Sequence, residues 1–213
     1  MKRFFRILIA SCAAVLVCSP ARASTIFSIQ PSTVAATPGS VGGAFDVVLT
    51  NSGPSSITVA GFSFEVSVTN TNITLIGADF SPASGAYIFA GDSEDEGLSI
   101  PLNITSGQTL DANDTYAGSG SGAILAPGQS LALGAVLFEV SPSAAPGLST
   151  VSFTGGAAFN NLSDPSGNLI AVGSFSSGTT DIVPEPSSLF LTLAGVPVLA
   201  GWARRRLAIA PRT

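Results

Sequence analysis

Carboxylates at alternate positions give this chain its strongest candidate for site chemistry. Asp92, Glu94 and Glu96 follow this spacing, and a glycine comes next. Ca²⁺ is a hard cation that prefers oxygen ligands, and short runs of this type supply the first ligands of calcium-binding loops. Glutamates replace the usual aspartates at the third and fifth positions, and Asn103 replaces a bidentate glutamate at the twelfth. The run predicts either a calcium site or a solvated acidic loop that keeps a sheet edge from associating.

Other catalytic and metal-binding chemistry has few residues to support it. Asp111 and Asp114 form a second, weaker acidic candidate of the same kind. The chain has no histidine, and Cys12 and Cys18 lie in the N-terminal segment, so the rest of the chain lacks Cys/His zinc ligands and a His-assisted nucleophile. The Gly-Ser-Gly-Ser-Gly run at 118–122 lacks the central serine of a nucleophile elbow. We predict that the protein is not an enzyme and needs no cofactor, with calcium as the one candidate metal ion.

Charge is divided between the ends and the middle of the chain. The 213 residues carry 8 basic and 13 acidic side chains, and no Lys or Arg lies between Ser24 and Val183. Twelve of the acids lie in that middle region, which therefore has a net charge of −12. Such a region cannot neutralise phosphates, so nucleic-acid binding is excluded. The basic residues are Lys2, Arg3, Arg6, Arg22, Arg204, Arg205, Arg206 and Arg212.

Residues 1–23 have the pattern of a secretory signal peptide. Basic residues precede an apolar stretch, Ile7–Val17, that is too short to span a hydrocarbon core of about 30 Å. Ala21 and Ala23 then form an A-x-A pattern that predicts cleavage before Ser24. An uncleaved membrane anchor and lipidation at Cys12 are the alternatives. The preferred interpretation predicts that the mature chain is exported.

An uncharged stretch at 187–203 predicts one transmembrane helix near the C-terminus. Its 17 residues would form a helix of about 25 Å, close to the lower limit for a membrane span. Trp202 lies where an interfacial aromatic belongs, and Arg204, Arg205 and Arg206 follow directly. Basic residues stay on the cytoplasmic side, so the preceding body is expected outside the inner membrane. The alternative, a buried core helix, does not account for the basic block.

A proline-rich motif, Val183-Pro184-Glu185-Pro186, lies directly before this stretch. Two prolines around one acid remove backbone donors and favour an extended, protease-accessible segment. The motif, the apolar stretch and the basic block, residues 182–213, together resemble the PEP-CTERM sorting signal. The resemblance implies that an exosortase, an integral-membrane cysteine protease, cuts near the motif and passes the body to the cell surface or exopolysaccharide matrix of a Gram-negative bacterium. The helix would then be a transient anchor in the inner membrane.

Residues 24–181 are predicted to form one all-β domain, an antiparallel two-sheet sandwich. Phe62, Phe64, Val66 and Val68 alternate with polar residues, which places one set of side chains in a core and the other in solvent. Turn residues separate about nine such segments, and no window has an apolar helical stripe. The further strand candidates are Thr25–Ile29, Phe45–Leu49, Ile73–Ile76, Tyr87–Ala90, Leu98–Ile104, Leu131–Val140, Thr150–Phe153 and Leu169–Phe175.

Several of these segments occur in an order that is typical of one kind of jelly roll. They are Ile29–Ser32, Phe45–Leu49, Ala60–Val66, Leu133–Val140 and Leu169–Val172. The order resembles cohesin-like or carbohydrate-binding-module-like domains, and the resemblance covers most of the body. It implies a jelly-roll sandwich but not dockerin binding, because no residue here matches a dockerin-contacting position.

The preferred functional hypothesis is a structural or adhesive protein of the cell surface or matrix. The alternative is a module that binds a carbohydrate or a protein through a face of the sandwich. The expected partners are the secretion machinery, an exosortase, the inner membrane and exopolysaccharide. Because the processed chain would keep essentially no basic side chain, its contacts in the matrix are expected to involve cations, hydroxyls and backbone groups.

Overall fold

The computed structural model describes residues 24–94 and 107–184, which form fourteen strands and one short 3-10 helix, Gly156–Ala158. Most strands are short because Gly- and Pro-rich turns interrupt the β-branched and aromatic runs. The strands are β1 (Thr25–Gln30), β2 (Thr33–Ala36), β3 (Gly43–Asn51), β4 (Ile57–Val59), β5 (Gly61–Val68), β6 (Ile73–Asp79), β7 (Thr109–Thr115), β8 (Ala123–Leu125), β9 (Ser130–Val140), β10 (Gly147–Phe153), β11 (Asn161–Ser163), β12 (Leu169–Ile170), β13 (Val172–Ser176) and β14 (Gly178–Ile182).

One sheet has five strands, in the order β13, β1, β3, β9, β6. The pairing of β3 with β9 joins Gly43–Thr50 to Ser130–Phe138 at its centre. Phe45, Val47 and Leu49 alternate along β3, and each is almost fully buried. Burying an apolar side chain of this size stabilises the fold by roughly 1.5–3 kcal/mol. The alternation of these residues in the sequence predicted a strand, and the structure confirms it.

The second sheet has seven strands. β12, β11, β5, β10, β14 and β2 follow in order. β11 and β10 pair with the two ends of one edge of β5, and β7 pairs with the other edge. β5 and β7 are antiparallel, with Gly61–Ser67 facing Thr109–Thr115. Side chains along β5 alternate between a buried row and a partly exposed row, which confirms the predicted pattern. β4 and β8 form a separate two-stranded ribbon.

The two ends of the described chain make the sandwich less uniformly antiparallel than the sequence predicted. β1 pairs in parallel with β13, and β14 pairs in parallel with β2. The chain crosses from the five-stranded sheet to the seven-stranded sheet twice, once between β1 and β2 and once between β13 and β14. The two segments run side by side in the same direction, while the other strand pairs are antiparallel.

The strand predicted at Tyr87–Ala90 does not form, because Tyr87 makes only a single parallel bridge with Ala132 and the next three residues form turns. Tyr87, Ile88 and Phe89 are nevertheless buried, and the Ile88 N–H donates to the carbonyl of Ala132 at 2.8 Å. The Phe89 ring packs against other core aromatic rings, including that of Phe62. The apolar run therefore reflects core packing by a turn segment that makes only one bridge to β9.

The targeting segments predicted at the two ends lie largely outside the described residues. The signal peptide at 1–23, the apolar stretch at 187–203 and the basic block after it are not described, nor is the strand predicted at 98–104. Of the Val183–Pro186 motif, Val183 and Pro184 are described. In the described part of the chain, no helix has the length and hydropathy that a membrane span needs.

Candidate binding site on the sheet face

The predicted calcium loop is described only in part. Asp92 and Glu94 lie in exposed turns, and Glu96 lies outside the described residues. Backbone hydrogen bonds hold the turn beside the end of β7, from Glu94 to the Thr115 carbonyl at 2.9 Å and from Ala117 to the Asp92 carbonyl at 2.8 Å. Within residues 24–94 and 107–184, no group of three or more acidic, His or Cys side chains could hold a metal ion. The calcium site stays a prediction.

The second acidic candidate is divided between the two faces of β7. Asp114 is on the buried face, where its carboxylate accepts hydrogen bonds from the Tyr87 hydroxyl and from the Thr115 N–H, the latter at 2.7 Å. Burial, and then the adjacent Asp114 carboxylate, raise the pKa of Tyr87 well above its ordinary value. Asp111 is on the opposite, partly exposed face of β7. These two carboxylates therefore cannot share one cation.

Asp111 has a different partner, Glu65, which lies directly opposite it on β5. Burial, followed by a hydrogen bond with Glu65 and repulsion from the Glu65 charge, raises the pKa of Asp111 to about 6. One oxygen of Asp111, Oδ1, is buried and has no hydrogen-bond partner among residues 24–94 and 107–184. Like charges placed directly opposite each other across strands destabilise a sheet. We call Glu65 and Asp111 the acid pair.

The loop at 154–160 holds Glu65 in place. The Thr154 hydroxyl donates to Glu65 Oε1 at 2.5 Å, and the Glu65 N–H donates to Asn160 Oδ1 at 2.9 Å. Asn160 is almost fully buried, and its amide nitrogen donates to the carbonyls of Thr154 and Gly156. One asparagine side chain therefore ties the loop to β5 and closes the loop on itself.

Gly155 allows the loop to bring an aromatic ring next to the acid pair. Its backbone is left-handed, with φ 71°. A Cβ on Gly155 would lie 2.5 Å from Phe159 Cδ2 and 2.7 Å from Glu65 Oε1, closer than real Cβ contacts. Phe159 is 47% exposed, and its carbonyl accepts a hydrogen bond from the Ser63 hydroxyl at 2.8 Å. An exposed ring and a carboxylate therefore lie side by side on the sheet.

Ser63, Asp111 and Phe159 line an open cavity of about 310 Å³ on the solvent side of the seven-stranded sheet. The size is at the lower end of the range for ligand pockets. Its walls combine an aromatic ring, a carboxylate, an amide and a hydroxyl. The lining residues are Ser63, Phe64, Asp111, Ala112, Asn113, Ala158 and Phe159.

Hydroxyl groups cover much of the same sheet beyond the cavity. Ser67 lies between Thr109 on β7 and Ser152 on β10. Further along, Thr179 on β14 shares a hydrogen bond of 3.0 Å with Thr33 on β2. We call the outward side chains of β7, β5, β10, β14 and β2 the outer face. The outer face carries acids and hydroxyls, and no Lys or Arg occurs between Ser24 and Val183 to balance the acids.

Sequence reasoning identified parts of this site but not their arrangement. The alternation of β5 placed Glu65 on a solvent-facing row, and Asp111 belonged to an acidic candidate. Their pairing depends on the register of two strands far apart in the sequence. Gly155, Phe159 and Asn160 had no signal that distinguished them from other loop residues.

The fold is similar to solved cohesin structures. The sixth cohesin of scaffoldin B from Acetivibrio cellulolyticus, in complex with a Cel5 dockerin mutant, has a TM-score of 0.54 and 20% identity, covering 75% of this chain and 99% of that chain. A type I cohesin–dockerin complex from Clostridium thermocellum, Coh-OlpA-Doc918, has a TM-score of 0.52 and 19% identity, covering 76% and 99%. CaCohA2 from Clostridium acetobutylicum has a TM-score of 0.53 and 15% identity, covering 76% and 92%.

No protein-family model and no curated protein matches the sequence. At these identities, structural similarity establishes the fold and not the function. The body of this chain is a β-sandwich with the cohesin-like fold.

Proposed function

We propose that this chain is an exported, exosortase-sorted protein of the cell surface or matrix that acts as a non-catalytic adhesive module. The outer face of the seven-stranded sheet is its binding surface. The observation that carries the proposal is the acid pair beside the exposed Phe159 ring, with Asp111 and Phe159 lining an open cavity on that face. The sorting part rests on the sequence pattern of the two ends.

A protein partner with a basic side chain fits this cavity best. The acid pair has no Lys or Arg in the body to neutralise it. A guanidinium group can form two parallel hydrogen bonds to carboxylate oxygens and can stack on an aromatic face. Similar folds have been solved as cohesins in complex with dockerins, which supports a protein as the partner. Arginine on that partner would satisfy the acid pair and contact Phe159.

Carbohydrate is the second candidate ligand, because of the exposed ring of Phe159 and the amide and hydroxyl groups near it. An apolar ring face beside hydrogen-bonding groups suits a neutral sugar, which has apolar faces and polar edges. The net charge of −12 in the body disfavours acidic polysaccharides. Saturable binding of the protein to a neutral glycan on an array, lost in Phe159→Ala, would favour this candidate over the protein partner.

The test of the binding face compares variants of the full chain produced in cells that lack the native protein. The fraction retained in the washed envelope and matrix is measured by immunoblot. Glu65→Gln/Asp111→Asn is expected to lower that fraction at least several-fold, because it removes the charges that attract the partner. Glu139→Gln is the control, since Glu139 is an exposed acid on β9 of the other sheet. Equal retention of the double variant, the control and the unaltered chain would contradict the proposal.

A further inference from the structure

The body ends in a strand that lies inside the seven-stranded sheet. β14 pairs with β10 over Gly178–Ile182 and, on its other side, with β2 over Thr179–Ile182. Backbone hydrogen bonds therefore engage both edges of the strand. Thr180 and Ile182 on its inner side have 0% and 1% of their surface exposed. The end of the body is therefore paired on both edges and buried on its inner side.

The pairing continues into the first residue of the Val183–Pro186 motif. The Val183 N–H donates to the carbonyl of Ala36, at the end of β2, at 2.8 Å. The Val183 side chain also contributes to a cavity of about 330 Å³ beside the turn at 37–43. Pro184 is exposed and, as a proline, has no N–H to pair. The fold thus holds the chain as far as Val183, and Pro184 is the first residue beyond that hydrogen bond.

An endopeptidase needs the residues around its scissile bond to be exposed and free to pair with the enzyme. Backbone groups that are paired on both edges of a strand do not meet this condition. To cut within β14, a protease would first have to withdraw the strand from between β10 and β2 and expose Ile182 to water. Such an opening removes part of the core and is therefore rare in the folded body.

We infer that the fold of the body sets the upstream limit of processing, so that the sorting protease cuts C-terminal to Pro184. The mature chain then keeps Val183, Pro184 and all of β14. The existence of a processing step rests on the proposed function. The upstream limit comes from the pairing of β14 and applies to any endopeptidase that acts on the folded chain.

The first test is the intact mass of the native protein isolated from the envelope and matrix of the producing cells. A C-terminus at Pro184 or later, with Arg204–Arg206 removed, is expected. A mature chain that ends within β14 or at Val183 would overturn the inference and leave the proposed sorting intact. A chain that retains the basic block would instead contradict the sorting proposal.

The second test does not depend on the sorting protease. The purified full chain in detergent micelles is treated briefly with subtilisin, and top-down mass spectrometry locates the cuts after Val172. The earliest cuts in this region are expected C-terminal to Pro184. Early cuts between Gly178 and Val183 in the folded chain would overturn the inference.

Two variants test whether burial at the end of β14 is what protects this strand from the protease. Ile182→Ala removes a core side chain at the end of β14 and is expected to speed cutting within the strand at least roughly ten-fold. Leu148→Ala is the matched control, because Leu148 lies on the paired strand β10 and is 72% exposed. The control is expected to leave the cutting pattern unchanged. If the two variants gave the same pattern, burial at the end of β14 would not be what protects the strand.

Discussion

At the scale of single residues, the site depends on two carboxylates that the sheet register forces together. Glu65 and Asp111 face each other on β5 and β7, and Asp111 Oδ1 is buried with no hydrogen-bond partner in the described part of the chain. Removing a charged group from water is costly unless it is paired. The acid pair therefore makes the free body less stable than a body whose pair is neutralised, either by a proton or by a cation from a partner. Both cases have measurable consequences.

Protonation of Asp111 should stabilise the fold. Burial and the adjacent Glu65 raise its pKa to about 6 from an ordinary value of 3.8. A carboxyl with a raised pKa binds its proton more tightly in the folded state, so its charge costs stability above pH 6, and this cost disappears as the pH falls towards 4. We expect the gain in Tm from Asp111→Asn to be largest above pH 6 and to shrink by pH 4. Calorimetry of the variant and the unaltered chain from pH 4 to 8 measures this gain, and a pH-independent difference would contradict the assignment.

Gly155→Ala tests how closely Phe159 and Glu65 approach the loop backbone. The variant places a Cβ in contact with both side chains at a left-handed residue. Gly167→Ala is the matched control, because Gly167 has a similar φ of 78° but no atom within 4 Å of the added Cβ. The control should lose about 1–2 kcal/mol from backbone strain alone, and Gly155→Ala should lose roughly 1–3 kcal/mol more from the clash. Urea unfolding measures both, and equal losses would refute the close approach.

At the scale of elements, the loop at 154–160 is the part of the site that is most dependent on side-chain hydrogen bonds. It contains only one short 3-10 helix, Gly156–Ala158, with no buried residue of its own. Side-chain hydrogen bonds of Asn160, Thr154 and Ser63 connect it to β5. The loop therefore positions Phe159 through these hydrogen bonds and a glycine, and not through buried residues of its own helix.

Asn160→Ala is expected to release the loop. It leaves the buried Glu65 N–H and the carbonyls of Thr154 and Gly156 without their partner, which costs roughly 1–3 kcal/mol. Asn161→Ala is the control, since its amide makes one exposed hydrogen bond, to the Ala158 carbonyl at 3.2 Å, and its loss should cost about 0.5 kcal/mol or less. Hydrogen exchange at the Glu65 amide should accelerate in the first variant only. Unchanged exchange in Asn160→Ala would contradict this account of the loop.

The strands that could be predicted from the sequence are those whose inward side chains are large and apolar. β1, β3, β5 and β9 alternate in this way, and the structure confirms them. β7 and β14 could not be recognised, because their inward residues include Asp114 in β7 and Gly178 and Thr180 in β14. The site could not be predicted for the same reason, because it lies where β5 pairs with β7. Its acid pair depends on strand register, which no local sequence pattern encodes.

At the scale of the whole molecule, the charge of the body and its broad sheet face together indicate what kind of partner it would bind. The body carries −12 with no basic residue, and both basic ends belong to the predicted targeting segments. A cohesin-like sandwich offers a broad sheet face, and here the acid pair and Phe159 occupy one part of that face. Because the body has no Lys or Arg, a basic side chain that neutralises the acid pair would come from the partner that we propose. The central claim is therefore that the cavity recognises a basic side chain.

The most direct test titrates the full chain, in detergent micelles at pH 7.5 and low salt, with N-acetyl-arginine amide. N-acetyl-citrulline amide, the neutral analogue of nearly equal shape, is the control ligand. NMR follows the resonances of Asp111, Asn113 and Phe159. Saturable shifts with arginine, at least roughly ten-fold weaker with citrulline and lost in Glu65→Gln/Asp111→Asn, are the expected result. Equal responses to arginine and citrulline, or a response to arginine that survives in the double variant, would contradict the claim.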